Sequence, residues 1–167
     1  GLDDDPAPWH ALRDEIHAEV CAQGFDPALG SFTQYYGSGT LDASLLMIGL
    51  VGFLPPTDPR LVGTIEGVER ELLVDGFVLR YRTDAPAPPA GPAPDSDAGG
   101  GATVGVDGLP PGEGAFLLTT FWLLDAYLLI GRRADAEALF EKLLGLQNDV
   151  GLLAEEWDVD DSRMLGN

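Results

Sequence analysis

The strongest constraint on this chain is an alternation of two kinds of helix. Three segments carry apolar residues on one face: Pro8 to Gln23 (Trp9, Leu12, Ile16, Val20), Pro59 to Leu73 (Leu61, Ile65, Val68, Leu72) and Ala134 to Leu146 (Ala136, Leu139, Phe140, Leu143). That spacing is the period of an amphipathic helix with one wet face. Between them, Asp42 to Leu54 and Gly114 to Ile130 are apolar nearly all round, and Asp42 is placed to cap the first of these. A helix without a polar face must be covered on all sides. The order amphipathic, buried, amphipathic, buried, amphipathic predicts an all-α fold, an α/α-toroid with inner helices lining a barrel and outer helices wrapping it. A plain bundle, the alternative, does not require the alternation.

Connection lengths carry the functional half of the reading. Inner helices pass to outer ones through short links, Pro55 to Asp58 and Gly131 to Arg133. The return connections are long: Gly24 to Leu41, Val74 to Glu113, and Gln147 to the end of the chain. Long polar loops gathered at one end of a rigid scaffold are where binding and catalysis concentrate. The first loop holds Gln34-Tyr35-Tyr36-Gly37-Ser38, the second Arg80-Tyr81-Arg82 and Glu113, and the third Glu155-Glu156-Trp157-Asp158. All three are expected on one rim. Within the second loop, 84–101 is a Pro-, Ala- and Gly-rich insert whose composition cannot bury a core and which is expected to be dispensable for folding.

Composition narrows the partners. The formal charge is −19, with 28 acidic residues against nine Lys plus Arg. Such a field repels phosphate backbones and anionic lipid, which argues against nucleic-acid and membrane-surface partners, whereas a neutral sugar is accommodated. Cys21 is the single cysteine, so no internal disulfide and no thiolate metal site can form. His10 and His17 sit seven apart and lack a third close ligand, so they read as helix-packing or surface residues rather than zinc ligands. No Ser-His-Asp spacing, phosphate loop or dinucleotide fingerprint is present, and no cofactor is implied. Gly1-Leu2-Asp3-Asp4-Asp5 is acidic where a secretory signal needs a basic region, which points to a cytoplasmic location. Gly114 to Ile130 is marginally short for a membrane span and carries Asp125 near its middle, so a buried helix is the better reading.

The third loop is the chemically suggestive one. Glu155 and Glu156 place paired carboxylates beside the Trp157 indole, just after a helix. Glycosidic bonds are usually cleaved by two carboxyl groups, and an aromatic face suits the C–H side of a pyranose. Tyr35, Tyr36 and Trp157 could each stack on sugar or simply pack. Asp42 is a helix cap before it is a ligand contact, and Glu113 is either a loop-ordering carboxylate or a hydroxyl contact.

With these residues in hand, the chain resembles glycoside hydrolase family fifteen, the glucoamylase and bacterial trehalase family, in its actinobacterial form. The stretches that carry the resemblance are Phe32-Thr33-Gln34-Tyr35-Tyr36-Gly37-Ser38, Leu41-Asp42-Ala43-Ser44, Leu50-Val51-Gly52-Phe53-Leu54-Pro55-Pro56, Asp75-Gly76-Phe77-Val78-Leu79-Arg80-Tyr81-Arg82-Thr83, Gly112-Glu113-Gly114-Ala115-Phe116-Leu117-Leu118 and Asn148-Asp149-Val150-Gly151-Leu152-Leu153-Ala154-Glu155-Glu156. The resemblance implies an (α/α)6 barrel that hydrolyses α-glucosidic bonds with inversion. It places the catalytic base on Glu155 and the substrate-gripping arginine on Arg80 beside Tyr81. Tyr35, Tyr36, Glu113, Glu156 and Trp157 are the further substrate-binding candidates. The family's general acid lies in a Trp-Glu motif well upstream, and none precedes the first helix. Residues 1–167 are therefore expected to be the C-terminal part of one catalytic domain, about half of its helices, carrying the base without the acid.

Two function classes remain open from sequence. One is an inverting hydrolase acting on a glucose-containing oligosaccharide or disaccharide once joined to the missing N-terminal part. The other is a non-catalytic helical sugar-binding or interaction module. The chain alone is expected to be inactive and to self-associate into homo-oligomers through its uncovered apolar helices.

Overall fold

The computed structural model of the chain describes residues 5–82 and 114–165. The insert at 84–101 and Glu113 lie outside the described residues. Helix α1 spans Ala7–Gln23, α2 is the short Met47–Leu50, α3 spans Pro59–Leu72, α4 spans Leu117–Leu129 and α5 spans Arg133–Leu144. The four longer helices each lie within a few residues of the span expected from periodicity. The start of α3 follows from local chemistry: Pro59 occupies its first turn, and the Asp58 carboxylate accepts from the Arg60 N–H at 2.9 Å.

The second expected helix, Asp42 to Leu54, is broken. A 3-10 turn at Ala43–Leu46 runs into the single turn of α2. Gly52 then adopts φ 72, a left-handed conformation that ends the helix, and the Phe53 N–H bonds back to the Ile48 carbonyl at 3.0 Å. The cap reading does hold, since Asp42 accepts from the Ser44 N–H at 2.8 Å. The expected helix at Gly114 likewise begins only at Leu117, because Ala115 and Phe116 are taken by a strand.

Short strands join the loops. β1 (Phe25–Asp26) pairs antiparallel with β2 (Ser31–Phe32), and β3 (Leu73–Val74) with β4 (Phe77–Val78). The β3–β4 link is the two-residue turn Asp75-Gly76, both at positive φ (47 and 80), the requirement of a tight hairpin turn. β5 (Ala115–Phe116), β6 (Glu156–Asp158) and β7 (Arg163–Leu165) form a three-stranded antiparallel sheet in that order.

The core lies between α3, α4, α5 and the second helical segment. On α3, Leu61, Ile65, Val68 and Leu72 are all buried, as the helical spacing predicts. On α5, Ala136, Leu139 and Leu143 are buried while Phe140 stays exposed, so the apolar face is narrower than its period suggested. The Arg132 guanidinium makes two hydrogen bonds to the Glu69 carboxylate, at 2.6 and 3.0 Å, and lies 4.3 Å above the Tyr127 ring, tying the α4–α5 turn to α3.

Two apolar faces depart from expectation. No residue of α1 is buried, and Trp9, Leu12 and Ile16 are exposed. The helix joins the body only near its C-terminal end. There the His17 ring packs on Phe53, with centroids 4.4 Å apart, and its Nε2 reaches the Phe53 carbonyl at 3.1 Å. That is the packing role expected for this histidine. α4, expected to be covered on all sides, leaves Leu118 and Leu128 exposed on one stripe with Asp125. Among the described residues nothing covers either face. Among them too, no helix is long and apolar enough to cross a membrane.

Candidate active site

The first turn of α4 organises the rim. A helix start leaves its first backbone N–H groups without intrahelical acceptors, so they must find partners outside the helix. The Leu117 N–H donates to the Glu155 carbonyl at 2.9 Å, which seats the third loop on this helix end. Two threonines in the same turn hold the second loop. Thr120 Oγ1 accepts from the Val78 N–H at 2.9 Å, and Thr119 Oγ1 donates to the Val78 carbonyl at 2.6 Å. Val78 ends β4, two residues before Arg80, and β4 lies against β5. Glu155 and the strand that delivers Arg80 are thus both fastened to the opening turn of one helix.

The first loop enters through Asp42. Its backbone forms an antiparallel bridge with Tyr81, and the neighbouring Ala43 N–H donates to the Arg80 carbonyl at 2.7 Å. The expected convergence of three loops on one rim is present as backbone pairing.

The side chains divide between those free to act and those spent on packing. Glu155 is exposed, and among the described residues no hydrogen bond or ion pair holds its carboxylate. Arg80 is also exposed, its guanidinium 5.8 Å from the centre of the Tyr81 ring, with no ion pair among the described residues. Tyr81 is 9% exposed, so its ring is an anchored shelf under a solvent-facing cation. Glu156 is half-buried, its backbone paired between Phe116 and Leu165. Trp157 packs: its ring stacks on Phe77 at 5.6 Å, and Lys142 Nζ lies 4.2 Å over that same Phe77 ring.

Tyr35 and Tyr36 are both exposed. Tyr36 turns toward α1. Desolvation, and then the Glu19 carboxylate, raise the pKa of its hydroxyl. Among the described residues, neither tyrosine is brought by a hydrogen bond to Arg80 or Glu155. Asp158 serves the β6–β7 turn: the Asp161 N–H donates to it at 3.1 Å and Arg163 Nε at 3.2 Å, and these bonds, the backbone one foremost, lower its pKa.

Sequence reasoning assigned no role to Asn148, Thr119, Thr120 or the Asp75-Gly76 turn, all of which build this rim. Asn148 Oδ1 accepts from the Val150 and Leu152 N–H groups at 3.1 and 2.9 Å, bracing the loop ahead of Glu155. The Asn-x-x-Gly spacing to Gly151 was the available signal. Thr119 and Thr120 gave none, because their partner Val78 is some forty residues away in sequence. The Asp75-Gly76 pair between apolar residues was a readable hairpin signal.

Comparison with known proteins bears on the family and the fold. The profile of the family described as Glycosyl hydrolases family 15 matches residues 1–167. A trehalase of Thermoplasma acidophilum is 39% identical over 160 residues, covering 95% of this chain and 24% of that protein. A trehalase of Mycobacterium tuberculosis is 40% identical over 159 residues, covering 95% of this chain and 20% of that protein. The chain therefore spans between a fifth and a quarter of the length of these curated relatives. Among solved structures, a wild-type glycosidase superposes with a TM-score of 0.69 at 22% identity, covering 90% of this chain and 34% of that one. A glycosidase variant in complex with glucose gives 0.68 over the same shares. At that identity the likeness speaks for the fold alone. A profile match along the whole chain, together with relatives near 40% identity, places this chain in glycosyl hydrolase family 15.

Proposed function

We infer that the chain is the C-terminal, base-carrying part of an (α/α)6 catalytic domain that hydrolyses an α-glucosidic bond with inversion. The observation that carries this is the fastening of Glu155 and of the Arg80 strand to the first turn of α4, with both side chains left exposed. A general base must reach a water, and a substrate clamp must reach hydroxyls; neither can be consumed by internal pairing. Glu155 would take a proton from a water on the face of the glucose opposite the leaving oxygen. An acid supplied from outside this chain would protonate that oxygen. Inversion needs these carboxyl groups roughly 6.5–9.5 Å apart, leaving room for the water. Arg80, held level by Tyr81, would grip substrate hydroxyls through its planar fork of donors.

Of the two substrate classes, α,α-trehalose is the one we favour, since the curated relatives at 38–40% identity are trehalases. The test is hydrolysis by the full-length protein of trehalose against maltooligosaccharides, with the anomer of released glucose followed by NMR. Equal amounts of α- and β-glucose at early times support the reading, because the attacked ring inverts to β while the departing glucose keeps its α configuration. Purely α-glucose at early times would exclude inversion, and preference for maltooligosaccharides would move the substrate to the glucoamylase class.

A further inference from the structure

The first rim loop ends in a polar relay that the roles of Glu155 and Arg80 leave unused. Asp42 is a carboxylate only 9% exposed, and it is committed on both oxygens. Oδ1 accepts from the Ser44 N–H at 2.8 Å, and Gln34 Nε2 donates to Oδ2 at 3.4 Å. A carboxylate can only accept, so this contact fixes which way the Gln34 amide faces. The other end of that amide is also engaged, since Thr40 Oγ1 donates to Gln34 Oε1 at 3.2 Å, and Thr40 Oγ1 meets Ser38 Oγ at 2.7 Å. The Gln34 N–H donates to the Thr40 carbonyl at 2.9 Å, closing the loop on itself. A simple helix cap needs only the Ser44 bond. The remaining members of the relay hold the Asp42 side chain from the loop side.

What lies against this relay is the Arg80 segment. Asp42 bridges Tyr81 backbone to backbone, and the Ala43 N–H donates to the Arg80 carbonyl at 2.7 Å. On its other side the same segment is bolted through Val78 to Thr119 and Thr120. Arg80 is therefore held from two directions. The α4 threonines fix the strand that approaches it, and the Asp42 relay fixes the residues at and after it. Its own guanidinium has no ion pair among the described residues, so the backbone and the Tyr81 shelf decide where it points.

We propose that Asp42 and Gln34 are positioning residues for Arg80, setting the backbone frame from which its guanidinium meets the sugar. This rests on the reading of Arg80 as the substrate clamp. Neither residue touches the reacting atoms; they act through Arg80. The consequence is selective. Misplacing a clamp that binds substrate and transition state alike raises KM and leaves kcat nearly unchanged. A structural residue would instead lower the amount of active enzyme.

The test is steady-state kinetics on trehalose with the full-length hydrolase, at a temperature well below every variant's Tm. Asp42→Ala should lower kcat/KM by about 10- to 100-fold, the scale on which small displacements of a positioning group act. The loss should appear in KM. Gln34→Ala keeps the Ser44 cap and should show the same pattern more weakly, which keeps the question open to measurement if Asp42→Ala folds poorly. Asp42→Asn can still cap Ser44 and exchange a hydrogen bond with a rotated Gln34 amide, so it should recover most of the loss. In an Arg80→Ala background, Asp42→Ala should add no further loss. Wild-type kcat/KM in Asp42→Ala and Gln34→Ala, or a full additive loss on the Arg80→Ala background, would overturn the proposal while leaving Arg80 as the clamp. Wild-type kinetics in Arg80→Ala itself would overturn the clamp reading, and the proposal with it.

Discussion

The Leu117 N–H donates to the Glu155 carbonyl at 2.9 Å, so the first residue of the most apolar helix holds the backbone of the residue proposed as catalytic base. A loop carboxylate would otherwise wander. Seated on a helix end, its backbone cannot shift without leaving a helix N–H unpaired. If Glu155 is the base, Glu155→Gln removes basicity at nearly constant shape. In the full-length protein it should lower kcat by about 10²–10⁴, the usual worth of general-base assistance. Near wild-type turnover would sink the assignment.

Arg80→Lys keeps the charge and removes the planar fork. Because Arg80 is exposed and makes no ion pair among the described residues, its stability contribution is small. kcat/KM should fall with Tm almost unmoved. The opposite result, a lower Tm with unchanged kinetics, would make it a structural residue.

Thr120→Val is close to isosteric but leaves the Val78 N–H without its acceptor in a buried setting. An unmade buried hydrogen bond costs about 1–3 kcal/mol. Denaturant unfolding should register that loss, and kcat/KM should drop with it because the same bond anchors the approach to Arg80. Unchanged stability would mean that Val78 finds another acceptor.

The Arg132 guanidinium, through its hydrogen bonds first and its charge after, holds the Glu69 carboxyl below its ordinary range. A depressed folded pKa contributes stability that is present above the unfolded value and is lost as pH falls through the folded one. Both side chains are about a third exposed, so after solvent screening the contribution is on the order of 1 kcal/mol. Arg132→Met should flatten the acid limb of the stability–pH curve below about pH 4.5, where an unpaired glutamate titrates. An acid limb identical to wild type would show that the pair is thermodynamically silent.

The chain by itself should self-associate. Trp9, Leu12 and Ile16 on α1, and Leu118 and Leu128 on α4, are exposed apolar side chains arranged in stripes, and contiguous patches of this kind drive association. Sedimentation should show species larger than one chain, shifting toward monomer in Leu118→Gln/Leu128→Gln. A wild-type chain that sediments as a monomer and melts cooperatively would contradict this.

Family, helix order and the rim loops were legible in the residues themselves because each is written in local pattern. The period of Leu61, Ile65, Val68 and Leu72 needs only one turn of backbone to repeat, and Asp58-Pro59 starts that helix with groups two residues apart. Tertiary structure alone decided the rest. Strands of two or three residues, such as Ala115–Phe116 against Glu156–Asp158, are too short to display a period, and their hydrogen bonds come from partners some forty residues away. The same distance hid Thr119 and Thr120, and it determined that Trp157 stacks on Phe77. Periodicity also reports which face of a helix is apolar and not whether anything lies against it. Val68 on α3 is buried, whereas Trp9 on α1 and Leu118 on α4, no less apolar, stand exposed. Burial belongs to a pair of surfaces, and a sequence segment specifies only one of them.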